Sequence, residues 1–106
     1  MPERPVRSPN GGVAVVTTER GLPVRLKIDA RELSRDPQEL AREILSLCRL
    51  SAIRQQVARR RDLADRGFSP AVVGRLQLAT IADLAEAEAI VHGEDEGPPE
   101  TWMRSR

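Results

Sequence analysis

The densest charge in this sequence is the run Arg59-Arg60-Arg61, with Arg54 seven positions before Arg61. Guanidinium groups on a helix suit nucleic-acid phosphates, and such contacts would be salt-dependent and nearly blind to sequence. The run has a second reading. Cations at a helix C-terminus complement the macrodipole, and three consecutive helical residues point 100° apart, so they form no single stripe. Arg25 and Lys27, two apart on a predicted strand, form another candidate phosphate patch or an ordinary wet sheet face. Other chemistry is sparse. His92 is the single histidine and stands at a predicted helix end, so triads and histidine metal sites lack their parts. Cys48 is the single cysteine, which excludes an internal disulfide and a cysteine cluster; it reads as a small core residue. Gly11-Gly12 precedes a strand and not a helix, so it is no phosphate loop. Glu86 and Glu88 lie two apart on a helix and do not face each other. These residues predict a protein without catalytic activity, cofactor, metal or small-molecule substrate.

Composition narrows the partners. The chain has 106 residues, one domain's worth, with 40% hydrophobic and 31% charged residues. Phe68 and Trp102 are its only aromatics, so base stacking is an unpromising mode of recognition. Net charge is +1, unevenly placed. Residues 1–66 hold 14 basic and 9 acidic groups, and residues 67–106 hold 3 and 7. A basic body thus carries an acidic tail. There is no apolar signal region at the start and no apolar run of membrane-spanning length, so the expected location is the cytoplasm.

These side chains must be carried by a small set of elements. Residues 1–11, with three prolines, read as an irregular arm. Residues 12–19 are β-branched, Glu19 to Leu22 reads as a turn around Gly21, and residues 23–29 alternate. That alternation predicts Val24, Leu26 and Ile28 inward and Arg25, Lys27 and Asp29 outward. Residues 30–35 read as a connecting turn with Leu33 pointing in. A long helix is expected from Pro37 to Asp65, with Asp36 as N-cap, Glu39 closing a capping box and Gly67 ending it. Ser69-Pro70 starts a short helix or turn, Thr80 caps a last helix from Ile81 to His92, and 93–106 form an acidic tail. The fold class is therefore α+β: a β-hairpin, in a small sheet completed on dimerisation, packed on one long helix, with shorter C-terminal helices. The organisation is an arm (1–11), a hairpin-plus-helix module (12–66), a helical segment (67–92) and a tail (93–106).

The long helix has apolar residues on two sides. Leu40, Ala41, Ile44, Leu45, Leu47 and Cys48 make one stripe, and Leu50, Ile53 and Val57 lie nearly opposite. One hairpin covers one side, so the second stripe calls for the C-terminal segment or another chain. Leu50, Ile53 and Val57 are thus the candidate dimer or partner interface.

The stretch GGVAVVTTERGLPVRLKIDARELSRDPQELAREI resembles the central part of the YbaB/EbfC family. The matching positions are Gly11, Gly12, Val13, Val15, Gly21, Val24, Ile28, Asp29, Leu33, Asp36 and Leu40, within residues 11–66. In that family a helix usually precedes the glycine pair; here a Pro-rich arm stands there. The resemblance implies a homodimeric, nucleoid-associated protein that binds DNA with low sequence specificity and has no enzymatic activity. Residues 76–91 are loosely similar to the C-terminal pattern of actinobacterial proteins associated with type VII secretion. That branch implies an accessory factor that binds a secretion-related protein. Arg25, Lys27, Arg54, Arg59, Arg60 and Arg61 are the DNA-contact candidates under the first expectation.

Overall fold

The computed structural model describes residues 4–92. Three antiparallel strands lie in the order β1 (Val6–Arg7), β2 (Val13–Thr17), β3 (Pro23–Ile28). A 3-10 turn (Ala30–Ser34) leads into α1 (Pro37–Asp65), followed by α2 (Pro70–Arg75) and α3 (Ile81–His92). The predicted tail, 93–106, lies outside the described residues. No helix among the described residues is long and apolar enough to cross a membrane.

The arm expected at 1–11 is partly ordered, because Ser8-Pro9-Asn10-Gly11 closes a turn. The Gly11 N–H donates to the Ser8 carbonyl at 2.9 Å, and Gly11 has φ +76°. The Asn10 side-chain oxygen accepts from the Ser8 hydroxyl and from the Gly12 N–H. The chain folds back so that Val6 pairs with Val15 and Arg7 with Ala14. Val6 is buried. The third strand is therefore supplied by the chain itself.

The second turn holds Gly21 at φ +87°, with the Thr18 N–H donating to the Leu22 carbonyl. β2 and β3 pair Val13 with Ile28, Ala14 with Lys27, Val15 with Leu26 and Val16 with Arg25, and a bulge shifts the register between Val16 and Thr17. Paired residues share a face. Val13, Val15 and Thr17 face α1: the first two join the core, and the Thr17 N–H and hydroxyl both donate to the Ser51 hydroxyl. Gln55 donates to the Thr17 carbonyl.

Helix α1 has the predicted bounds and the predicted N-cap, but the capping box expected of Glu39 does not form: no Glu39 hydrogen bond to the Asp36 N–H is found among the described residues. The Asp36 carboxylate accepts from the Gln38 N–H, and Pro37 occupies the first turn. At the other end Gly67, at φ +94°, donates to the Ala64 carbonyl while Phe68 donates to that of Leu63. Thr80 and Asp83 cap α3 reciprocally: Thr80 N–H to the Asp83 carboxylate at 2.9 Å, Asp83 N–H to the Thr80 hydroxyl at 3.2 Å.

The two-sided helix is resolved within one chain. α1 packs on β1 and β2 with one side and on α3 with the other. Leu50, Ile53 and Val57 are buried in a core that also contains Ala79 and Ala87. Ala87 is a small residue on α3, so that helix can approach α1 closely. The expectation that Leu50, Ile53 and Val57 form a partner interface is thereby corrected: they are internal packing. Leu47 and Leu50 are fully buried, and each such side chain contributes about 1.5–3 kcal/mol relative to exposure.

The uncovered apolar surface lies elsewhere. α1 sits over β1 and β2, and β3 reaches past it. Val24 is 55% and Leu26 46% exposed, although the pleat turns Leu26 towards the helix side; Ile28 alone packs against the core edge. Leu33, expected inward, is 66% exposed, and the buried residue of the 3-10 turn is Glu32, at 3%.

Candidate functional site

The pleat that sends Val13, Val15 and Leu26 towards α1 sends their neighbours to the opposite face of the sheet. Across that face the register aligns Arg7, Ala14 and Lys27 in one row, and Val16 with Arg25 in the next. Arg7, Arg25 and Lys27 are exposed. None of them makes an ion pair among the described residues. Arg25 and Lys27 stand about 6.6 Å apart along β3, and Arg7 lies two strand spacings, about 9.6 Å, from Lys27. The one acid in this row is Asp29, just past the end of β3, and it pairs with Arg31 at 3.4 Å. The central strand contributes only Ala14 and Val16 between the cations, and both are buried, so what this face presents to solvent is the cationic side chains of its flanking strands. Of the sequence candidates this arrangement brings together Arg25 and Lys27. It adds Arg7, which was hidden in what read as an irregular arm.

The α1 candidates do not assemble with them. Arg54 pairs with Glu88 of α3 at 3.3 Å, and Arg59 pairs with Glu19 of the hairpin turn at 3.0 Å. Arg60 donates to the carbonyls of Leu78 (2.7 Å) and Ala79 (3.2 Å), pinning the α2–α3 connection to α1. Arg61 is exposed and lies on the same side of the helix as Arg54, seven positions before it, with no ion-pair partner among the described residues. Three of the four guanidiniums in this cluster thus hold the hairpin turn, the α2–α3 connection and α3 against the long helix. A run of arginines on a helix gives no sequence signal that separates this role from phosphate contact, because the partners lie 18 to 40 positions away.

An open groove of about 620 Å³ runs between the hairpin turn and the α2–α3 connection, lined among others by Glu19, Leu45, Cys48, Gln56 and Asp83. Two of its polar side chains, Gln56 and Asp83, are already engaged. The Gln56 amide donates to the Glu19 carbonyl at 2.7 Å and accepts from the Ala79 N–H at 2.9 Å. Thr80, first through its N–H and then through its hydroxyl, holds the Asp83 carboxyl below its ordinary range. Burial pushes the Cys48 thiol up, away from the thiolate that nucleophilic chemistry needs. Among the described residues no three His, Cys, Asp or Glu side chains converge as metal ligands would.

The glycine pair has a structural role. Glu32 lies over Gly12, and its carboxylate accepts from Arg35 at 2.8 Å and from the Asn10 amide at 3.1 Å. Arg35 also donates to Glu43 of α1 at 2.6 Å. One buried carboxylate therefore ties the β1–β2 turn to the 3-10 turn and, through Arg35, to the long helix. The Arg35 guanidinium outweighs the desolvation of Glu32, with Asn10 assisting, and holds its carboxyl below the ordinary value of 4.5. A carboxyl lowered on folding contributes stability that is present above its unfolded value and is lost as pH falls through the folded one. Thermal melts of the wild-type chain should weaken as pH drops below about 4.5, and Glu32→Gln should flatten that part of the profile. An unchanged acid limb in Glu32→Gln would show that the knot carries no pH dependence.

The chain is an α+β protein: a three-stranded antiparallel sheet on one long helix, braced by two shorter ones. Comparison with protein-family models, with curated proteins and with solved structures gives no match. Its function therefore has to be argued from its own residues.

Proposed function

We propose that this protein binds DNA without enzymatic activity and with low sequence specificity, in the manner that the resemblance to YbaB/EbfC nucleoid-associated proteins implies. The contact surface in this reading is the helix-distal face of the sheet. The observation that carries it is the alignment of Arg7, Arg25 and Lys27 on one strand face, where the acid that continues the row, Asp29, is paired with Arg31. Charges in this arrangement meet backbone phosphates and not base edges. Three phosphate contacts release about three counterions. The affinity should then fall roughly 40-fold between 50 and 200 mM salt.

The test is a fluorescence-anisotropy titration of two unrelated duplexes across that salt range. Similar affinities for both, a log–log salt slope near −2.7, and loss of most binding in Arg25→Glu/Lys27→Glu support the reading. An Arg59→Ala/Arg61→Ala chain losing equally much would move the contact to α1. No anisotropy change at 50 mM salt with micromolar protein would end it.

A second reading, an accessory factor that binds a secretion-related protein, draws on a different observation: Val24 and Leu26 are apolar residues left half exposed on a strand at the sheet edge. In it the cationic face is a solvated surface and the edge carries the function.

A further inference from the structure

We infer that the acidic segment Glu94-Asp95-Glu96-Gly97-Pro98-Pro99-Glu100 docks on the helix-distal face of its own chain's sheet, over Arg7, Arg25 and Lys27. Strand register sets these three cations side by side on that face. All three are exposed, and none has an ion-pair partner among the described residues. Ala14 and Val16 between them are buried and apolar. The acid nearest to them in the row, Asp29, is held by Arg31. The face is therefore a seat for carboxylates that the described part of the chain does not fill.

Charge and reach select the segment. Residues 93–100 carry four acids and no base. The helix before them is no seat, because α3 bears Asp83, Glu86 and Glu88 and like charges repel. The arginines of α1 that face α3 are taken: Arg54 by Glu88, and Arg60 by the carbonyls of Leu78 and Ala79. Arg49 shares its groove with Glu19 and Asp83. Val91, next to the end of α3, packs on the core that also contains Val6 and Val13. Two packed layers, about 20 Å in all, separate α3 from the sheet. Eight extended residues, from His92 to Glu100, span up to about 26 Å. Pro98-Pro99 favours polyproline II, which sets Glu96 and Glu100 about 12 Å apart. That is within side-chain reach of the roughly 9.6 Å between Arg7 and Lys27.

The contact has a consequence for phosphate binding. Carboxylates of the segment and phosphates of DNA compete for the same three cations, so the segment masks the face and DNA displaces it. This part of the inference rests on the DNA reading; the contact itself does not. Because the segment belongs to the same chain, its effective concentration is about 1 mM. Masking of about fivefold then needs a segment affinity of only about 0.25 mM. Salt screens both contacts, so the masking should shrink as salt rises.

Lys27 is the only lysine and Trp102 the only tryptophan of the chain, so each reports on one side of the contact. The test is carbodiimide coupling of amines to carboxylates in the full chain at 50 mM salt, without DNA, followed by peptide mapping. The expected product joins Lys27 to a carboxylate within residues 94–100. Its yield should be independent of chain concentration, fall at least fivefold at 500 mM salt, and vanish in Lys27→Arg. The fluorescence anisotropy of Trp102 should fall in Arg7→Gln/Arg25→Gln/Lys27→Gln. Absence of that link, or an anisotropy equal in the two chains, would overturn the contact. So would a link that forms only between two chains, as a product of twice the mass. Masking is read separately. Glu94→Gln/Asp95→Asn/Glu96→Gln/Glu100→Gln should bind a duplex about fivefold more tightly than the wild-type chain at 50 mM salt, and the difference should shrink at 200 mM. Equal DNA affinities would overturn the masking. A Lys27 link in a chain that binds no DNA, with or without the four acids, would support the contact and end the DNA reading; DNA binding without the link would do the reverse.

Discussion

An Ile53→Asp chain is expected to be unfolded at room temperature, with a far-UV spectrum lacking helix and no urea transition. Ile53 is 8% exposed and sits in the core shared by α1, Ala79 and Ala87. Removing its side chain from that core forfeits about 1.5–3 kcal/mol of burial. A carboxylate in its place adds a desolvation penalty of several kcal/mol. The total reaches the lower end of the roughly 5–15 kcal/mol that holds a domain folded, and a chain with some ninety described residues belongs near that end. Val57→Asp should behave alike. Leu45→Asp, at a position 69% exposed on the same helix, should melt near the wild-type temperature. A folded Ile53→Asp chain would show that α3 does not cover this side of α1, and would return the stripe to the role of a partner interface.

Replacing Gly12 with alanine is expected to lower the melting temperature by roughly 10 °C. A Cβ at Gly12 would collide with a Glu32 carboxylate oxygen and stand 2.8 Å from the Glu32 Cγ. The end of a glutamate ordinarily swings away at little cost. This one is buried and held by Arg35 and Asn10, so moving it breaks charge-assisted hydrogen bonds inside the fold. Overpacking of this kind costs about 1–3 kcal/mol, and each kcal/mol shifts the midpoint by about 4–8 °C in a domain this size. The neighbouring glycine gives the contrast. Gly11 has open space around it but φ +76°, so Gly11→Ala meets backbone strain of about 1 kcal/mol and no clash. If Gly11→Ala proved the worse of the two, the Glu32 knot would not be what the glycine pair serves. A double replacement, Gly12→Ala with Glu32→Ala, should recover part of the loss by removing the clash.

The two glycines show how far local reading extends. A Gly-Gly pair before a strand says that a side chain is unwelcome, and Gly11 needs only its own turn to explain it. Gly12 needs Glu32, twenty residues on, and no local pattern names that partner. The same division runs through the arm. Ser8-Pro9-Asn10-Gly11 carries a turn signal, with Val-Arg before it and β-branched residues after it, so β1 was within reach of a turn-centred reading. Its prolines argued for disorder because the pairing that orders Val6 is with Val15, on the far side of that turn.

What the amino-acid order determined by itself is everything that depends on a few neighbouring residues. Helix α1 starts at Asp36-Pro37 and stops at Gly67, α3 starts at Thr80, and the hairpin turns at Gly21. Caps, proline and positive-φ glycine act over one turn of chain. The tertiary structure alone decided which apolar side meets which neighbour and which cations remain free. Leu50, Ile53 and Val57 are covered because α3 returns across α1; Leu26 is bared because the helix axis lies over β1 and β2. Arg54, Arg59 and Arg60 are consumed by partners far along the chain, and Arg7 joins Arg25 and Lys27 through strand register. Burial and ion pairing are properties of distances between elements, and periodicity in one element carries no information about where the next one lies.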